Sequence, residues 1–476
     1  MMLQGTGRGA GRRPRGCTRK GSSARPCSNE RGASLIAVMA MISVVLLIGV
    51  ALFTMSTSES DLVEWSIDGA EAFYLAEGGV ERFLTTADEL AQRTPPIYPE
   101  DGSVENQILG SGEYDVVWTK TGSPDPWFTR YEIVSTGDVD GVLRQVRATV
   151  RMEPFSQYLF FVEDENWWYP LWFTSSDSLD GRVHTNGYLR IGGDPWFGKK
   201  VTAANEPMIE WPFSPNYPTF EEGYELGVAE IGLPSHSSIA AGLQALAGED
   251  GVSFPGLPGR GYLATYEVEL GRNGILGYVS YRSYEYDGSG SRWSSSNYDW
   301  SDWADIDLSV LTNGVVWFED RVQVEGTLDG ELTIGCADDM YIMDDVVYAD
   351  ATPEGGPHAG CNDLMGLISS EDVFIADTAA NDNDCVIHGA IMALGSYLRV
   401  QNLLFGGRRG DLIVHGSIAV HKARRVSYFE YLGWLLAGYA KRYHYDGRLA
   451  SFPPPGFPQT GSYYVSEWAE ETVTGS

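Results

Sequence analysis

Any chemistry in this chain would have to come from a few short clusters. Asp338-Asp339 and Asp344-Asp345 are adjacent carboxylate pairs, and Asn381-Asp382-Asn383-Asp384 sets four hard-oxygen side chains in one run. Glycoside hydrolysis needs two carboxyls about 5–10 Å apart, flanking one bond. Adjacency in sequence does not supply that geometry, and with 65 acidic residues neighbouring pairs arise from composition alone. The pairs are read as solvated loop residues. Calcium takes ligands of the type that Asp382 and Asp384 offer. The run lacks the spacing and closing glutamate of an EF-hand, so calcium is a weak candidate beside a turn that bonds its own backbone. No other cofactor is expected.

Ile387-His388-Gly389 and Val414-His415-Gly416 put two histidines at equivalent positions of a repeated unit. Stacked on neighbouring strands they could share a metal, although a solvent-facing pair is the preferred reading. No serine lies in a nucleophile elbow, and no Walker or dinucleotide fingerprint follows a strand. No enzyme is expected. Cys336, Cys361 and Cys385 allow at most one internal disulfide, with the pairing open, and no Cys/His spacing suggests zinc. Trp293, Trp300 and Trp303 lie among serines and aspartates and form a candidate ligand platform. The run Trp167–Phe173 could serve a sugar or a partner surface, with core packing preferred.

The elements that must position these residues follow from composition. With 476 residues, and domains of about 150, two to four modules are expected. The 56 glycines, 23 prolines and 26 tyrosines favour many short strands over a helical bundle. A net charge of −32 repels phosphate backbones and argues against a nucleic-acid partner. Residues 1–32 nevertheless hold eight basic side chains and one acidic one, leaving 25 basic and 64 acidic residues downstream. The uninterrupted apolar stretch Ala33–Met55 follows directly. At about 1.5 Å per residue, 23 residues cross a hydrocarbon core of about 30 Å. The pattern predicts a cytoplasmic leader, a single inner-membrane span and an acidic exported body. A secretory signal cut near Ser56-Thr57-Ser58 is the competing reading.

Beyond the span, Leu62, Trp65, Gly69, Ala72, Ala76, Val80 and Phe83 recur every three or four residues, one stripe of a helix. No proline lies between Arg31 and Thr94, which predicts one continuous helix ending near Gln92. Here Glu30-Arg31-Gly32-Ala33-Ser34-Leu35-Ile36-Ala37 resembles the prepilin processing site. Together with Glu71-Ala72-Phe73-Tyr74-Leu75-Ala76-Glu77-Gly78-Gly79-Val80-Glu81, it resembles the PilX-type minor pilins. The resemblance implies cleavage by a membrane peptidase between Gly32 and Ala33, methylation of the new amine, and packing among other pilin or pseudopilin subunits. Ala37, Leu62, Trp65, Ala72, Ala76, Glu77 and Val80 would form the assembly face. Ala37 stands where major pilins carry glutamate, a departure that fits a minor or tip subunit.

Strands are expected at Tyr114–Lys120, Tyr131–Ser135 and Leu143–Met152, making a small head over residues 93–153. Further on, an apolar-x-Gly-x-apolar unit recurs as Val324–Leu328, Leu328–Leu332, Ile387–Ile391 and Val414–Ile418. Such units could stack as a parallel β-helix or loose solenoid over residues 154–425. A β-sandwich is the alternative. Residues 205–310 read as an aromatic, polar insertion with a long loop at Ser289–Trp303, and residues 426–476 as a Tyr/Pro-rich C-terminal segment. Asp180–Leu189, Gly438–Tyr443 and Pro453–Pro455 resemble an uncharacterised β-rich envelope-protein family that accompanies PilX-type N-termini.

The fold expected is therefore α+β and mostly β, with a long pilin-like helix, a small β head and a solenoid body. The function expected is a non-enzymatic minor pilin-like subunit at or near the tip of a type IV pilus or type II secretion pseudopilus, with an adhesive role open to it. A membrane-anchored envelope protein with a carbohydrate-binding or polysaccharide-degrading body is the alternative.

Overall fold

The computed structural model describes residues 30–91, 93, 97–121, 130–164, 170–212, 215–260, 262–352, 355–358, 360–429 and 435–471. The chain divides into two units, Met1–Ala70 and Glu71–Ser476.

One helix, α1 (Glu30–Ala91), runs 62 residues without a break, as the absence of proline permits. Its first part is long and apolar enough to cross a membrane, and every residue from Leu35 to Ile67 is exposed. From Ala72 onward one face is buried: Ala72, Leu75, Ala76, Val80, Phe83, Ala87 and Ala91. These follow the helical repeat and pack on an antiparallel sheet.

That sheet begins with β1 (Gly102–Leu109), β2 (Gly112–Thr121), β3 (Arg130–Val139) and β4 (Val142–Pro154), each antiparallel to its neighbour. The three strands expected from sequence lie within β2, β3 and β4. In β3, alternate residues Tyr131, Ile133 and Ser135 are buried, the period of two that directs one face onto a core.

The following region is built on parallel pairing. Strands β5 (Tyr158–Asp164), β6 (Arg182–Gly192), β7 (Val201–Glu210) and β8 (Tyr224–Leu226) form one parallel run. Helix α2 (His236–Glu249), capped at its start by Ser235, follows and has no counterpart among the sequence expectations. A second parallel run then comprises β9 (Val252–Phe254), β10 (Val315–Phe318), β11 (Glu331–Cys336), β12 (Leu364–Ser369), β13 (Cys385–Ala393) and β14 (Arg408–Lys422). The two runs join where Ile418 of β14 pairs with Phe160 of β5. A second parallel ladder links Thr265–Leu270, Val322–Leu328, Met340–Tyr348, Val373–Ile375 and Leu398–Val400. Leu332, Ile334, Met365, Leu367, Ile387, Ile391, Val414 and Ile418 fill one core between the ladders. These long parallel ladders are not the antiparallel pairing a sandwich would use.

The Gly units sit within this pattern in two ways. Ile387–Ile391 and Val414–Ile418 pair residue for residue in β13 and β14. Val324–Leu328 lies in the other ladder, and Leu328–Leu332 is a corner at Gly330 (φ +124°) and no strand repeat. The stretch Ser289–Trp303, expected as a loop, is partly sheet. Tyr298–Trp300 pairs with Tyr284–Tyr286, which belongs to an antiparallel hairpin built on Thr265–Leu270.

After β15 (Leu435–Tyr445), the last strand, β16 (Gln459–Glu471), runs antiparallel to β4. The small head expected from residues 93–153 thus takes its fifth strand from the C-terminal segment. Arg144 and Arg147 bind Glu470 and Glu471 at 2.8 Å, and the Tyr463 amide donates to Asp88 at 2.6 Å.

Candidate functional site

The residues expected to form one assembly face separate into two groups. Ala37, Leu62 and Trp65 are exposed, the last two by 66% and 58%. Ala72, Ala76 and Val80 are occupied by the chain's own sheet, and Glu77 is half-buried. This corrects the single-face reading: the small residues of the stripe permit close approach to β2 and β3 within the same chain. Gly79 faces Ser135, Val116 and Tyr114, and Gly137 lies against the Ala72 carbonyl. A Cβ at Gly79 would stand 2.5 Å from Val116 Cγ2, and one at Gly137 would stand 2.9 Å from the Ala76 nitrogen. Phe83 and Tyr131 tilt together at 5.2 Å between centroids, and Tyr131 meets Tyr463 edge to face at 5.8 Å. Burial pushes the Tyr131 phenol up to about 12. Gly32 and Ala33 fall inside α1; their side-chain surroundings lie outside the described residues.

The carboxylates are tied mainly to backbone. Asp345 accepts the Val386 amide and Asp384 the Asp411 amide, both at 2.7 Å. Asp338 and Asp344 accept the amides of Asp339 and Asp345 at 2.8 Å. Burial raises the Asp339 and Asp345 carboxyls above their usual range. Asp382 and Asp384 are exposed, whereas Asn381 is buried and donates to the Ile342 and Ala376 carbonyls. Among the described residues, no group of three or more His, Cys, Asp or Glu is placed to hold a metal ion.

His388 and His415 do stand in register across β13 and β14, their rings edge to face with centroids 5.3 Å apart. Both are buried, which overturns the solvent-facing reading: the strands put them on an inward face. His444 of β15 adds a third rung, 4.9 Å from His415, and its Nδ1 lies 3.2 Å from Asp180. No Gly unit surrounds His444, so sequence reasoning missed it. His388 Nδ1 accepts the Tyr348 amide at 3.1 Å.

Cys336, Cys361 and Cys385 are three separate buried thiols. Burial raises the pKa of each.

Trp293, Trp300 and Trp303 each carry an arginine over one ring face. Arg260 lies 3.1 Å from the Trp293 centroid and Arg282 lies 4.3 Å and 4.6 Å from Trp300 and Trp303, while Arg272 also covers Trp303 at 4.2 Å. Such cation–π pairing occupies part of the surface a sugar ring would need. Of the earlier aromatic run, Trp167, Trp168 and Tyr169 lie outside the described residues, and Phe173 is buried.

Residues 121–205 match a domain of unknown function (DUF4900), a region that includes Asp180–Leu189. No curated protein matches. Among solved structures, the competence-associated pilin ComZ from Thermus thermophilus aligns over 85% of this chain and 97% of its own, at 11% identity and a TM-score of 0.30. That score does not establish a common fold.

Proposed function

We propose that this protein is a non-enzymatic, PilX-type minor pilin-like subunit. A helix with an exposed apolar part and a downstream part sewn into a sheet carries the reading. The apolar part, Leu35–Met55, rests in the cytoplasmic membrane until prepilin peptidase cuts between Gly32 and Ala33. It then packs among other pilin or pseudopilin subunits, with Ala37, Leu62 and Trp65 available to neighbours. The head locks the helix to its cargo, and the parallel ladders are coils of a β-solenoid. A body of this size is too bulky to repeat along a tight fibre, which favours the tip of a pilus or pseudopilus, where it would serve adhesion.

The test is the intact mass and N-terminal sequence of the protein from membranes, with and without co-expressed prepilin peptidase. A peptidase-dependent start at Ala33, with or without a methyl group, is expected. A start near Glu59, or an uncut leader, would overturn the proposal.

A further inference from the structure

Where the two parallel runs join, strand β14 serves two neighbours. Asp411–Gly416 pairs with Ala440–Tyr445 of β15, whereas Ile418–Lys422 pairs with Phe160–Asp164 of β5. The ladder therefore forks, and the fork leaves a cavity of about 810 Å³ beside Phe160, Phe173, Leu398 and Tyr443. That volume lies within the range of roughly 300–1,000 Å³ that encloses small organic ligands.

The lining narrows the ligand class. Trp172 and Trp211 meet edge to face at 5.0 Å, so one ring blocks the other as a flat sugar platform, and Arg190 lies 5.8 Å over Trp172. Several of the small polar groups are engaged with one another or with backbone. Thr174 Oγ1 bonds Ser176 Oγ at 2.9 Å, Ser175 Oγ accepts the Asp194 amide at 2.9 Å, and the Thr174 amide donates to Asp177 at 2.7 Å. Asp177 in turn pairs with Lys441 at 2.6 Å, which neutralises both charges. The cavity thus offers apolar and aromatic wall and few uncommitted sugar-type hydrogen bonds. At its rim stand two exposed cations, Arg424 and Arg425, on a chain of net charge −32. Arg424 lies 5.1 Å over the Tyr397 ring, with no carboxylate partner among the described residues.

We propose that the fork binds an anionic amphiphile, its acyl chain among Phe160, Trp172, Phe173 and Leu398 and its carboxylate or phosphate head on Arg424 at the rim. A free fatty acid and a membrane phospholipid share that chemistry.

The test photolabels the full-length protein in phosphatidylcholine nanodiscs with ω-diazirine palmitate and maps the labelled peptides. Label on 35–55 reports partition into the bilayer. Label on 170–179 and 420–427 reports the cavity and is expected there. The variant Arg424→Glu, at an exposed position, should lower cavity labelling about tenfold and leave helix labelling unchanged. An ω-diazirine lysophosphatidylglycerol that labels the cavity in preference to palmitate identifies phospholipid as the source; the reverse identifies free fatty acid. Label confined to 35–55, equal labelling by ω-diazirine hexadecanol, or displacement by maltohexaose but not by unlabelled palmitate would each overturn the proposal.

Discussion

Two adjacent glycines in α1 should respond to the same substitution with opposite signs. Gly78→Ala places a methyl group 3.6 Å from Leu109 Cδ2, an ordinary contact, on a half-buried position. Alanine is favoured over glycine inside a helix by about 1 kcal/mol, so this change should stabilise the segment by about that amount. Gly79→Ala gains the same propensity but drives its Cβ into the sheet, 2.5 Å from Val116 Cγ2 and 3.1 Å from the Tyr114 ring. Ser135 Oγ is closer still and can rotate away, but the β-branched Val116 cannot yield without moving β2. Overpacking of this kind costs about 1–3 kcal/mol, and with a stiff neighbour the upper end applies, for a net loss of about 2 kcal/mol. Hydrogen exchange of the peptide spanning 72–91 in the full chain reads local opening directly. At about 1.4 kcal/mol per factor of ten, exchange should slow about fivefold in Gly78→Ala and quicken about thirtyfold in Gly79→Ala. If both variants shift exchange in the same direction, the close docking of helix on sheet is wrong.

Other measurements probe the body and the head's last strand. Burial lowers the pKa of His184, whose ring bonds Thr202 and Asn186 at 2.8 Å, so the folded state resists protonating it. The unfolded chain takes up that proton below about pH 6.5, so this contribution is complete above that pH and declines as pH falls. His184→Gln should flatten the fall in urea midpoint between pH 7 and pH 5. The three buried thiols should resist N-ethylmaleimide at pH 8 in the native protein and all react in urea; labelling of native Cys336 or Cys385 would contradict their placement. Gly416→Ala puts a Cβ onto the Gly389 carbonyl in the paired strand, and its yield of folded protein should fall well below that of Gly447→Ala, where nothing lies within 4 Å.

Legibility in the sequence tracked the distance over which partners are set. The helix was readable because its determinants are local: an apolar run, a three-four stripe and no proline. The same stripe misled about its partner, since Ala72, Ala76 and Val80 look equally fit to meet a neighbouring subunit or the chain's own sheet. The choice between them rests on Gly79, Gly112 and Gly137, whose missing side chains matter only once β2 and β3 lie beneath the helix. The match of His388 with His415 was visible because one short unit repeats around both. His444 joins that column through strand register alone, from Tyr443-His444-Tyr445, where no such unit exists. The pairing of Ile418 with Phe160, and of Glu471 with Gln145, leaves no mark in either segment, because each strand alternates like any other and chooses its partner only in the folded chain. The fork that opens the cavity is created by the first of these long-range pairings. The residues lining it, from Phe160 to Tyr443, are spread across the body, so no inspection of spacing could have gathered them.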